Sequence, residues 1–127
     1  MFGSDILMVR IKGFLRNITE NDILNFDEKG IKNKNKLCFI KNEVKYSIKI
    51  LDSEIMMIRE SDDYINSFIF KKTNGSSSYT LRDNNYTIDM NIVVKDLILN
   101  DNSFSIKYLI SDTDCEYEFK LEMSECL

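Results

Sequence analysis

Few of the side chains that usually carry catalysis are present in this sequence. It has 127 residues and not one His, so the usual general base near neutral pH and the commonest metal ligand are both missing. A Cys-His or Ser-His couple cannot form, which leaves nucleophilic catalysis only Ser-Lys arrangements. The clustered serines, Ser76-Ser77-Ser78, follow Gly75 and read as a loop tip. Paired carboxylates at Asp62-Asp63 and at Asp112 and Asp114 are suitable chemistry for a hard cation or for acid–base work. Both pairs fall in turn-like surroundings where solvated Asp is ordinary, and neither has the Gly and distal Glu of a calcium loop. Four glycines scattered at positions 3, 13, 30 and 75 make no phosphate-cradling loop. The three cysteines, Cys38, Cys115 and Cys126, are odd in number and lack CxxC spacing, as expected of free thiols in a reducing cytoplasm. The expectation is a protein that is not an enzyme and has no cofactor or metal.

Two features point to binding instead. In Ser53-Glu54-Ile55-Met56-Met57-Ile58-Arg59 the alternation puts either Met57 and Arg59 or Met56 and Ile58 on the inward face of a strand. If Arg59 points inward with Met57, a cation sits in an apolar cup, where it needs a carboxylate partner or an anionic ligand. Tyr79, Tyr108 and Tyr117 are the candidates to add hydroxyls to such a cup. The alternative leaves Arg59 at the rim, paired with Glu60 or Asp62 or solvated. The second feature is electrostatic. Residues 29–49 hold seven Lys (29, 32, 34, 36, 41, 45, 49) and one acid, Glu43, for a local charge of +6 in a chain whose total is −4. Lys32, Lys34 and Lys36 read as a loop, with Lys45 and Lys49 on the outward face of the next strand. Such a patch suits an anion, an RNA backbone or an acidic protein. It contains no Arg, and its aromatics, Phe39 and Tyr46, read as core. Lysines of this kind also guard edge strands.

The elements that must position these groups are strands. The chain has 17 Ile and 6 Tyr but no Ala, Pro, Gln or Trp, a composition that favours pleated surfaces. It also suggests an AT-rich bacterial coding sequence. Residues 44–51, 86–94, 103–110 and 115–123 alternate strictly. Val44, Tyr46, Ile48 and Ile50 face one side, as do Tyr86, Ile88, Met90, Ile92 and Val94. Phe104, Ile106, Tyr108 and Ile110, then Tyr117, Phe119, Leu121 and Met123, repeat the pattern. A helical period would scatter these sets around the axis. Residues 5–16 read as a long strand, and 22–28, 36–41, 54–60, 64–72 and 78–83 as shorter ones. Residues 94–100 fit a short helix or a continued strand equally well. Asn- and Asp-rich turns every eight to twelve residues make the whole an antiparallel meander. About eight to ten strands in a single domain, 1–127, close into a barrel or fold into a curled sandwich.

The stretch VKYSIKILDSEIMMIRESDDYINSFIFKKTNGSSSYTL, Val44 to Leu81, adds a resemblance. A hydrophobic strand ends in Arg (Glu54 through Arg59), a Phe-bearing strand follows (Phe68 or Phe70), and then a Tyr-bearing one (Tyr79). In this order the chain resembles the YwiB-like family of small bacterial proteins, over about Ile6 to Met123. It departs in having Asn84-Asn85 where that family usually places a glycine. The resemblance implies an up-and-down, lipocalin-like or calycin-like β-barrel and brings no activity with it.

Together these readings give a cytoplasmic barrel that binds a small, partly apolar or anionic ligand inside. The alternative is a protein- or RNA-interaction module working through the lysines. No stretch approaches the ~20 apolar residues of a spanning helix. The opening MFGSDILMVR lacks a signal-peptide pattern, so no membrane partner is expected.

Overall fold

The computed structural model describes residues 6–126. Asp5, the expected first residue of the first strand, lies outside them. The chain is all-β, with ten antiparallel strands: β1 (Ile6–Asn17), β2 (Asp22–Asn33), β3 (Lys36–Lys41), β4 (Val44–Ile50), β5 (Ile55–Glu60), β6 (Tyr64–Phe70), β7 (Asn74–Leu81), β8 (Tyr86–Leu99), β9 (Ser103–Ile110) and β10 (Cys115–Glu125). Each pairs with its sequence neighbours, and β1 pairs with β10, so the sheet closes into an up-and-down barrel. Turn chemistry matches this course. Asn42 and Glu43 form the two-residue link between β3 and β4 with φ of 52° and 66°, the left-handed pair that suits the twist of a hairpin. Closure brings backbones close together. A Cβ on Gly13 would run into the Lys120 carbonyl of β10.

Three departures from the alternation have physical causes. Residues 94–99 are the end of strand β8, and Asn100 opens the turn after it. A bulge between Val94 and Asp96 moves the inward set from Val94 to Leu97 and Leu99, a three-residue step that imitates a helical period. Ser76, Ser77 and Ser78 lie within β7 rather than at a loop tip, and the turn before them is at 71–73. Tyr86 and Ile88, expected inside, are 58% and 43% exposed. The register of β8 with β9 begins only at Ile92, so the start of β8 pairs with β7 alone and overhangs the barrel.

The two ends of the barrel differ. At one, Ile11, Leu37, Ile48, Ile55, Phe70, Phe104, Ile106 and Leu121 are fully buried and packed together. At the other, where the turns at 18–21, 42–43, 61–63, 82–85 and 111–114 lie, the inward positions Leu15, Leu24, Arg59, Tyr64, Tyr79 and Tyr117 are only half-buried. This end is called the mouth below. One seam is short: β2 and β3 are in register only at Ile31–Asn33 with Lys36–Cys38. Toward the mouth, side chains close that seam. Phe26 meets Phe39 at 5.6 Å and Tyr46 at 5.4 Å, and Lys41 reaches Glu28 at 3.4 Å.

Candidate ligand-binding site

Strand parity places the inner wall of the mouth. Buried Ile55 and Met57 face inward on β5, so Arg59, two residues further on, does as well. In register, Arg59 stands between Tyr46 of β4 and Asn66 of β6, and Asn66 stands opposite Tyr79 of β7. Tyr46, Arg59, Asn66 and Tyr79 thus form one row across four strands. Tyr64, two residues nearer the mouth than Asn66, stacks on Tyr79 at 5.2 Å. Across the barrel Tyr108 pairs with Tyr117 and stacks on it at 5.2 Å. Five of the six tyrosines line this one end, and the sixth, Tyr86, is on the overhanging hairpin above it.

Arg59 is the unusual member. Its guanidinium carbon lies 5.3 Å from the centre of the Phe68 ring, within cation–π range. Its Nε is enclosed without a hydrogen-bond partner, the only such side-chain atom among the described residues. No ion pair forms to Arg59 among those residues. Glu60, a partner expected for it, is taken by Arg82 at 3.0 Å, and Arg82 Nε is held by the Ser61 carbonyl at 2.8 Å. Next to it, Ser77 donates its hydroxyl to Asn66 Oδ1 at 3.2 Å in a buried bond. Burial pushes the Tyr46, Tyr108 and Tyr117 hydroxyls above their ordinary pKa, and the positive charge of Arg59 opposes each shift. All three therefore stay neutral donors at physiological pH.

The space available is at the mouth, not deep in the barrel. The middle is filled by its own side chains, as a narrow barrel allows. Met57, at 1% exposure, is part of that packing. A depression of about 400 Å³ lies beside Leu15, Asn17, Asp22, Ile23, Leu24 and Tyr117, on the β1–β2 side of the mouth, and Arg59 is not among its lining residues. The rim turns carry Glu20, Glu43, Asp62, Asp63, Asp83, Asp112 and Asp114, and this acidic collar repels polyanions. Asp62-Asp63 and Asp112/Asp114 lie in those turns. No three Cys, Asp or Glu side chains gather as a metal site among the described residues.

The lysines divide. Lys45 and Lys49 face outward on β4, and Lys36 stands opposite Lys49. Lys34 is in the β2–β3 turn with φ 58°. Lys32 is in β2 rather than a loop. It lines a different depression, beside Val9 and Met123 at the packed end.

Sequence reading missed Tyr46, Tyr64 and the Asn66–Ser77 bond as parts of the mouth. The sequence signal for two of them was the run Tyr64, Asn66, Phe68, Phe70, whose alternation turns polar toward the mouth.

This barrel has a solved counterpart. The crystal structure of the YwiB protein from Bacillus subtilis matches it with a TM-score of 0.68 at 12% sequence identity, over 97% of this chain and 93% of that one. The two chains share one fold. The likeness read from Val44 to Leu81 therefore holds at the level of the barrel. No family model matches the sequence, and no curated protein matches it significantly.

Proposed function

We propose that the mouth binds a small ligand with one anionic group and an apolar or aromatic body. The observation that carries this is Arg59, a half-buried inward guanidinium with an enclosed, unpartnered Nε and no ion pair among the described residues. A cation withdrawn from water without a counter-charge is costly, and a ligand carboxylate or phosphate offsets that cost. The half-buried Tyr64, Tyr79 and Tyr117 supply ring surface and hydroxyls at the mouth, above the buried Tyr46 and Tyr108, the mixture that ligand pockets use to hold and orient. The acidic collar favours a compact ligand over a polyanion. The role is binding without catalysis, in keeping with a chain that has no His. Its three free cysteines suit a reducing bacterial cytoplasm.

The test combines native mass spectrometry of gently purified protein with titration of anilinonaphthalene sulfonate, an aromatic anion. A mass excess lost on denaturation, and saturable dye binding abolished by Arg59→Met, are the expected results. A bare mass together with dye binding that is absent, or unchanged in Arg59→Met, overturns the reading.

A further inference from the structure

The outer wall of β3–β6 is a grid fixed by register. One row runs Lys36, Lys49, Met56, Ile69. The next runs Cys38, Ser47, Ile58, Ser67, and the third Ile40, Lys45, Glu60, Ile65. Lysines gather on the β3–β4 side and apolar residues on the β5–β6 side. A depression of about 690 Å³ runs over this wall, bordered by Lys36, Lys45, Lys49, Met56 and Ile58, with Glu60 as its one acid.

Three observations make this more than a solvated face. Lys36 and Lys49 are directly opposed, an arrangement of like charges that destabilises a sheet. Among the described residues neither they nor Lys45 forms an ion pair. The acid across from Lys45, Glu60, is drawn away to Arg82 at 3.0 Å. Edge protection does not explain the lysines of β4 either. That strand is paired along its length on both sides, with β3 and with β5, so it has no free edge to guard. Beside the lysines, Met56 and Ile58 are 39% and 44% exposed, forming one apolar strip.

We propose that this wall docks an acidic segment of a partner protein. Its carboxylates meet Lys36, Lys45 and Lys49, and an apolar side chain lies on Met56 and Ile58. Lys45 and Lys49 are four residues apart on one strand, roughly 13 Å, so two carboxylates at that spacing are the matching pattern. Charge complementarity sets the sign of the partner, and the apolar strip sets its class. A nucleic-acid backbone would leave Met56 and Ile58 unused. The wall also offers it no Arg for bidentate phosphate contact and no exposed ring for base stacking, since Phe39 and Tyr46 are buried. The interaction is separate from the mouth and does not rest on Arg59.

Fluorescence anisotropy with three labelled decapeptides and a labelled oligouridylate tests it on the whole protein. One peptide carries Glu and Leu, one Glu and Ser, one Leu and Ser. The Glu–Leu peptide binds best, and its binding weakens at least tenfold in Lys45→Glu/Lys49→Glu and several-fold in Ile58→Ser. It also weakens steeply as salt is raised from 50 to 300 mM. All three positions are exposed, and matching urea midpoints for the variants confirm that the fold is kept. Absence of peptide binding, or peptide binding indifferent to the lysine reversals, overturns the proposal. Tighter binding of the oligouridylate also overturns it and makes the wall a nucleic-acid surface.

Discussion

Replacing Arg59 by Met separates a binding residue from a structural one. Met keeps most of the stem and the inward apolar contact while deleting the guanidinium. Two effects then oppose each other. Losing the contact with the Phe68 ring at 5.3 Å costs about 0.5–2 kcal/mol. Removing an enclosed polar atom that has no partner returns about 1–3 kcal/mol. The two ranges overlap, so the ligand-free variant should lie between about 1 kcal/mol less stable and about 2.5 kcal/mol more stable than the parent. For a chain of this length each 1 kcal/mol moves the melting midpoint by roughly 3–5 °C. Urea unfolding of both proteins, stripped of ligand by a denaturation and refolding cycle, measures the difference directly. Stabilisation on losing a functional charge is the pattern of a site kept for binding at the expense of stability. A loss of more than about 2 kcal/mol in the variant refutes the argument, because Arg59 would then be held by interactions that outweigh its desolvation.

The remaining expectations use the same geometry. The Tyr46, Tyr108 and Tyr117 hydroxyls have folded pKa values raised from about 10. The folded state therefore keeps protons that the unfolded chain releases, and stability is whole below pH 10 and falls as pH rises beyond it. Urea midpoints at pH 9 and pH 11, with tyrosinate absorbance followed alongside, should show these three hydroxyls ionising with unfolding; their ionisation in the folded state ahead of unfolding contradicts this. Ser77→Ala leaves buried Asn66 Oδ1 without its donor and should cost about 1–3 kcal/mol in chemical unfolding, whereas Ser76→Ala, at an exposed position, should change almost nothing. Glu43 holds φ 66° in an exposed two-residue turn, a left-handed strain of about 1–2 kcal/mol against roughly 0.5–1 kcal/mol of extra backbone entropy for Gly, so Glu43→Gly should stabilise by up to about 1 kcal/mol, read from the same unfolding curves.

The barrel was legible in the sequence because each half-buried strand records its own inside and outside. Tyr46, Ile48 and Ile50 against Lys45, Ser47 and Lys49 need no tertiary information to be read as a strand. The reading failed where pairing, not pattern, decides. Tyr86 and Ile88 keep perfect alternation, yet their exposure follows from β9 stopping at Ile110, a length recorded elsewhere in the chain. Val94 to Leu97 misled because a bulge is invisible until a partner strand is laid beside it. Arg59 and Tyr79, Tyr108 and Tyr117 were open to sequence reading as inward polar residues. That Glu60 would turn away to Arg82, leaving Arg59 without an ion pair among the described residues, depended on a hairpin 22 residues further along.

The brief register between β2 and β3 has a consequence for how the molecule breathes. The ladder that closes the sheet over the longest span, β1 with β10, matches nine residue pairs, from Val9 with Glu125 to Asn17 with Tyr117. The lap between β2 and β3 matches three. The weakest join in the wall is therefore between sequence neighbours, tied covalently at Lys34 and Asn35. It can part only as a wedge, hinged at that turn and widening toward the mouth, with the partly exposed Glu28–Lys41 contact as its clasp. The amides of Asp22–Lys29 that face β3, and those of Phe39–Lys41 that face β2, should exchange with solvent ahead of those in β9, which is laddered on both sides. The barrel is in this sense a rolled sheet whose free margins overlap by one turn's reach, able to loosen at the side without losing its closure.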